Sequence, residues 1–206
     1  LYRTIPYGLR GSRMDIKVID NFLSQSEFEI ILKNTIERED LQLTFVSNIN
    51  NLSTNSEDYW SWYLINMVYS KTASPKSFLM DAIDFQEVES SPLADEPQSE
   101  IYTNIRDIFV PRLKQVANFR SMIRIKINAY PYTNIVKEHK DHIDSEFHHT
   151  GAVFSLNTCD GFTKFSDGTK VESVANRIVF FDASKFHHST TTSNAKLRYN
   201  INFNFL

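Results

Sequence analysis

From Met122 the chain alternates with a period of two. Ile123, Ile125, Ile127 and Ala129 fall on one face, and Arg124, Lys126, Asn128 and Tyr130 on the other. Successive side chains of a strand point to opposite sides, so this pattern predicts a strand with one apolar and one polar face. The C-terminal run repeats the design, with Leu197, Tyr199, Ile201, Phe203 and Phe205 against Arg198, Asn200, Asn202 and Asn204. In a free-standing antiparallel sheet the polar face would meet water. In a double-stranded β-helix, or jelly roll, it can turn inward and line a cavity, and a place for Arg198 inside such a cavity favours that arrangement. Between these two runs, the turn signals Asp160-Gly161 and Asp167-Gly168 separate further short strands.

The earlier half reads differently. Ile16–Ile19 predicts a short strand. A helix follows, capped by Ser24 or Ser26, with an apolar stripe of Phe28, Ile30, Ile31, Leu32 and Ile36 that should pack on the outside of the sheet. Leu41–Val46 reads as a strand and Tyr59–Tyr69 as a strand or buried segment, whose aromatics suit core packing more than the lining of a substrate cleft. Residues 47–58 read as loop, and 70–100, with Pro75, Pro92 and Pro97, as a long loop of the kind that often forms a lid. Glu100–Ala117 recovers a helical period, which Pro111 should kink or split. The expected architecture is mainly β with flanking helices. Helical support and loops span 14–119, a jelly-roll core spans 120–206, and residues 1–13 are a tag or extension ahead of a single domain over 14–206.

Charge changes this picture little. The net charge of the chain is −3, and leaving out Arg3, Arg10 and Arg13 makes it −6, which does not favour a nonspecific nucleic-acid binder. No run approaches the length of apolar residues that a membrane span needs. Cys159 is the only cysteine, so an intrachain disulfide is impossible and a reducing, cytoplasmic compartment is expected. A metal site would have to draw on histidine and carboxylate. All 6 histidines fall between positions 139 and 188.

His142 and Asp144 are two apart, so on a strand an imidazole and a carboxylate can converge on one point. A second imidazole from a distant strand, His187, would complete two nitrogens and one oxygen on one side of an ion, the set that leaves open positions on non-haem Fe(II). His139 with Asp141 offers the same spacing, and His188 competes with His187, although neighbours on a strand face opposite sides and only one of those two can serve. His148 and His149 read as loop or rim residues. Arg198 carries a planar guanidinium fork that matches a buried carboxylate.

In their order, the His-x-Asp pair, the distal His187 and Arg198 eleven residues later resemble the 2-oxoglutarate-dependent Fe(II) oxygenases. Ala129-Tyr130-Pro131, Val153–Asn157, Gly161–Phe165 and Val179–Asp182 look like strands of the prolyl-hydroxylase-like branch. Asp167–Ser173 and Ile201-Asn202-Phe203 are similar to the short members carried by marine phages, which would place the protein in a host cytoplasm. The resemblance covers the C-terminal part well and the N-terminal half weakly. It implies His142, Asp144 and His187 as metal ligands, Arg198 as partner of the distal carboxylate of 2-oxoglutarate, Tyr130 as a hydrogen-bonding neighbour, and Asn128 and Asn202 as pocket-lining positions. Phe154 stands where some relatives carry a second tyrosine, which would remove a hydroxyl from the pocket, and strict prolyl 4-hydroxylases tend to use lysine in place of Arg198. The implied cofactors are Fe(II), 2-oxoglutarate and O₂, with ascorbate as an accessory reductant. The implied reaction is hydroxylation of a C–H bond on a peptide, prolyl among the choices, or on a small molecule. A nucleic-acid demethylase of the same chemistry and a cupin-like metal-binding module without turnover are the competing readings.

Overall fold

A computed structural model describes residues 16–47, 60–71 and 97–206. The expected extension over 1–13, and nearly all of the expected loops over 47–58 and 70–100, lie outside the described residues. The elements in chain order are β1 (Lys17–Ile19), α1 (Gln25–Asn34), β2 (Thr44–Val46), β3 (Tyr63–Ser70), α2 (Tyr102–Val116), β4 (Met122–Pro131), β5 (Thr150–Ser155), β6 (Phe162–Phe165), β7 (Lys170–Glu172), β8 (Ile178–Asp182), β9 (His187–His188) and β10 (Leu197–Phe205). Seven strands form one sheet in the order β1-β8-β5-β10-β4-β3-β2, and three form a second in the order β7-β6-β9. All the pairings between these strands are antiparallel among the described residues. This is the expected jelly-roll architecture, mainly β with helices on one side.

The alternation read from the sequence sorts the two faces of the large sheet. Ile125, Ile127, Phe154, Ile201, Phe203 and Phe205 join Phe28 and Ile31 of α1 and Ile105, Phe109 and Leu113 of α2 in one buried core. Phe109 sits at its centre, its ring 4.9 Å from Phe154 and 4.6 Å from Phe203. Burying such rings supplies most of what holds the helices to the sheet, at roughly 1.5–3 kcal/mol each. The opposite face carries Lys126, Asn128, Arg198, Asn200, Asn202 and Asn204, and all six are buried. A buried polar face is stable only where something answers its hydrogen bonds.

Local chemistry explains where elements start and stop. Ser24 caps α1 through a capping box, its hydroxyl accepting from Glu27 N at 3.3 Å while Ser24 N donates to the Glu27 carboxylate at 2.8 Å. Pro111 does not split α2, which runs unbroken past it. Proline frees the carbonyl four residues back, and Asp107 and Pro111 both lie on the exposed side, where water can take that carbonyl. The strand expected over 41–46 is confined to β2, and the one expected over 59–69 begins at Tyr63.

Candidate metal centre

Between β4 and β5 the chain runs back along the small sheet. His142 and His187 exchange both backbone hydrogen bonds, each N to the other's O at 3.0 Å. Residues paired in this way on antiparallel segments point their side chains to the same face. Their imidazole centroids are 4.6 Å apart as a result. Two residues on, Asp144 N donates to Ala183 O at 2.9 Å, which brings its carboxylate to the same spot. One ligand atom from each of His142, Asp144 and His187 lies within 4.8 Å of the others.

The electrostatics suit a cation there. His187 donates Nδ1–H to Lys185 O at 2.9 Å, leaving Nε2 with a free lone pair. Burial foremost, with His187 second, pulls His142 down to about 4, and burial lowers His187 against the opposing pull of Asp144 and the Lys185 carbonyl, so both are neutral at pH 7 and able to act as donors to a metal. Burial also works against the Asp144 charge. Arg124 foremost, then the two histidines and Lys126, outweigh it and hold the carboxyl well below its usual range. Two neutral nitrogens and one carboxylate oxygen on one side make a donor set appropriate to non-haem Fe(II).

Arg198 lies on the polar face of β10, opposite Tyr130 of β4 in register. Its side chain is 1 % exposed. Nη2 donates to Thr163 Oγ1 at 3.0 Å, Nη1 reaches Thr190 O at 3.4 Å, and the guanidinium stands 5.5 Å from the Tyr130 ring centroid. Nε has no partner, and among the described residues no carboxylate pairs with this cation. A buried guanidinium with an unanswered N–H fits the carboxylate of a bound ligand. Burial lowers its pKa, with Tyr130 opposing. Asn128 donates to Asn200 Oδ1 at 2.8 Å, and the side-chain oxygens of Asn128 and Asn202 are buried without partners.

The competing histidines go elsewhere. His139 is buried between Trp60 and Tyr130, with ring centroids 5.4 Å from each, and its Nδ1 contacts Ser189 Oγ at 2.9 Å. His188 faces the other way and binds Asp141 at 2.6 Å and Glu138 at 3.1 Å. His148 is exposed, beside Asp182; His149 lies in the same loop before β5, as expected, but is buried there, 2 % exposed. His149 is held inside because Nδ1 donates to Phe147 O and Nε2 accepts from Asn204. Phe154 also departs from expectation. Its ring points away from the polar face into the helix-side core, against Phe22, Phe28 and Phe109, so it takes no hydroxyl from the pocket.

Sequence reasoning missed the partners of Asp144. Arg124 Nη2 donates to Asp144 Oδ1 at 2.8 Å, and Asn204 Nδ2 donates to Oδ2 at 2.9 Å. Both residues stand on the polar faces that the alternation marked. Their register, Arg124 directly across from Asn204, was the missing information.

The fold is similar to that of solved 2-oxoglutarate- and Fe(II)-dependent oxygenases. The chain is similar to a prolyl hydroxylase from Trichoplax adhaerens solved with a hypoxia-inducible-factor peptide fragment (13 % identity, 92 % of this chain and 83 % of that one, TM-score 0.53). It is likewise similar to a prolyl-4-hydroxylase from Pseudomonas putida (13 %, 92 % and 91 %, 0.53). A third similar structure is SnoN, a non-haem α-ketoglutarate-dependent epimerase of nogalamycin biosynthesis (12 %, 94 % and 78 %, 0.57). No family model matches the chain, and no curated protein does. Among the described residues no helix is long and apolar enough to cross a membrane.

Proposed function

We propose that this protein is an Fe(II)- and 2-oxoglutarate-dependent dioxygenase that hydroxylates a C–H bond of a peptide or small-molecule substrate. The observation that carries the reading is a pair of sites: His142, Asp144 and His187 converge against the polar face of the large sheet, with Asp144 held by Arg124 and Asn204, and that face also carries a fully buried Arg198 that lacks a carboxylate among the described residues. His142, Asp144 and His187 would hold the iron, and Arg198 with Tyr130 would receive the distal carboxylate of 2-oxoglutarate. Bound together, the metal and its co-substrate supply the oxidising power for hydroxylation, with succinate and CO₂ released.

The chain's own residues do the rest. Lys185 O fixes the His187 tautomer, Arg124 keeps Asp144 ionised, and the contiguous rings of Trp60, His139, Tyr130 and Tyr63 wall off one side from water. Thr163 and Thr190 hold the Arg198 fork in place before any ligand arrives, which reduces the ordering cost on binding. A peptide is the substrate class we favour, with prolyl hydroxylation its subclass, because the similar Trichoplax enzyme was solved with a peptide.

The test is an anaerobic titration of the protein with Fe(II) and then 2-oxoglutarate. The expected result is a metal-to-ligand charge-transfer absorption that needs both additions. Turnover is then followed as succinate release coupled to a sixteen-dalton gain (one oxygen atom) on candidate peptides and small molecules. Absence of the charge-transfer band would overturn the reading.

A further inference from the structure

Both oxygens of the Asp144 carboxylate are already engaged, one by Arg124 and the other by Asn204. The clamp is itself anchored. His149 donates Nδ1–H to Phe147 O, so its Nε2 can only accept, and it takes the second N–H of the Asn204 amide at 2.9 Å. The orientation of Asn204 is thereby determined, and with it the side of Asp144 that receives its proton. Arg124 in turn reaches Asn204 Oδ1 at 3.5 Å, closing a ring of contacts around one carboxylate. Arg124, Asn204 and Asp144 are mostly or fully buried, with side-chain exposures of 20 % for Arg124 and 7 % for Asp144.

We propose that Arg124 is a positioning residue for the metal. With Asn204, it grips the Asp144 carboxylate from both ends and presents it to the ion in a single orientation. A carboxylate offers about four lone-pair sites, and two are taken here. The group therefore cannot swing freely between one-oxygen and two-oxygen coordination. Outer partners of this kind typically account for 10- to 100-fold in metal affinity. The inference rests on the reading of His142, Asp144 and His187 as a metal site, and the test separates the two.

The probe is Co(II) added to the full chain under anaerobic conditions, followed by calorimetry and by the visible d–d spectrum. Arg124→Met is expected to weaken Co(II) binding by roughly 10- to 100-fold. It should also shift the position and intensity of the d–d bands, because Asp144 is released to turn. Arg124→Lys should restore most of the affinity, since only one guanidinium nitrogen touches Asp144 and an ammonium can replace a single charged donor. Binding of 2-oxoglutarate at saturating metal should be unchanged, because Arg198 lies at the opposite end of β10 from Asn204. Arg124→Met with parental affinity and a superimposable spectrum overturns the positioning role while leaving the metal site intact. A parent protein that takes up no Co(II) overturns the site and this inference with it. Should Arg124→Met fail to fold, Asn204→Ser takes its place in the same comparison.

Discussion

Replacing Arg198 by methionine separates a ligand-binding arginine from a structural one. Methionine retains much of the stem's bulk and removes the charge and every N–H. In the ligand-free protein two opposing effects then nearly cancel. The lost bonds to Thr163 at 3.0 Å and Thr190 at 3.4 Å, the second weak, are together worth about 2–4 kcal/mol. Against that, burying a cation without a counter-charge costs several kcal/mol, which the substitution relieves. The ligand-free protein is therefore expected to change in stability by no more than about 1–2 kcal/mol, a shift of a few degrees in Tm. With 2-oxoglutarate the balance differs. Leaving one buried charge without its partner costs about 2–5 kcal/mol. At about 1.4 kcal/mol per tenfold, that weakens Kd by roughly 30-fold to a few thousand-fold. Thermal melts of the apoprotein, metal titration, and anaerobic co-substrate titration of the Fe(II)-loaded protein measure the three quantities. Unchanged co-substrate affinity together with a collapse in apoprotein stability would refute the reasoning, because Arg198 would then be holding the fold and not a ligand.

Asp144→Asn replaces an accepting oxygen with an NH₂ group that meets the donors of Arg124 or Asn204, and calorimetry should show metal affinity down by more than the roughly 100-fold typical of outer partners. Gly161→Ala would place a Cβ 2.6 Å from Arg198 Cδ and 2.7 Å from the Thr191 carbonyl oxygen, so it should cost about 1–3 kcal/mol in urea unfolding and also raise the Kd for 2-oxoglutarate. Phe109→Ala removes the ring at the centre of the helix-side core and should destabilise by about 3–5 kcal/mol without touching the polar face. Stability should also fall with acid. Burial foremost, with Arg198 second, pulls His139 down to about 3, so the unfolded chain takes up its proton first, near pH 6.5. The contribution is whole above that pH and is lost as pH falls toward 3, on the order of 4 kcal/mol when complete. Urea midpoints measured between pH 7.5 and 5 should drop, and less steeply in His139→Asn; equal slopes would remove His139 as the source.

Much of the architecture was legible along the chain. The alternations through Met122–Pro131 and Leu197–Phe205 assign each residue to the core or the polar face, and the structure keeps that division without exception across Arg198, Asn200, Asn202 and Asn204. The misjudged positions have local causes. Of the kink or split expected at Pro111, the split does not occur, because the exposed side can hydrate the freed carbonyl. Phe154 carries no mark in the sequence of which face it takes until β5 is registered against β10, where it pairs with the core residue Ile201. His149 lies in a loop, as expected, but its burial was not legible because nothing nearby in sequence announces Asn204 as its partner.

What the amino-acid order determines by itself is therefore periodicity and inventory: which side chains share a face, and that histidines, one His-x-Asp pair and a distant arginine are present to be assembled. Pattern alone left His139 beside His142 and His187 beside His188 as rivals. Tertiary structure decides among them through one antiparallel pairing, His142 with His187, that turns both imidazoles to one side and sends His139 to Trp60 and His188 to Asp141. Register is a property of two segments 45 residues apart (187 − 142), and a shift of a single residue would exchange every inward side chain for an outward one.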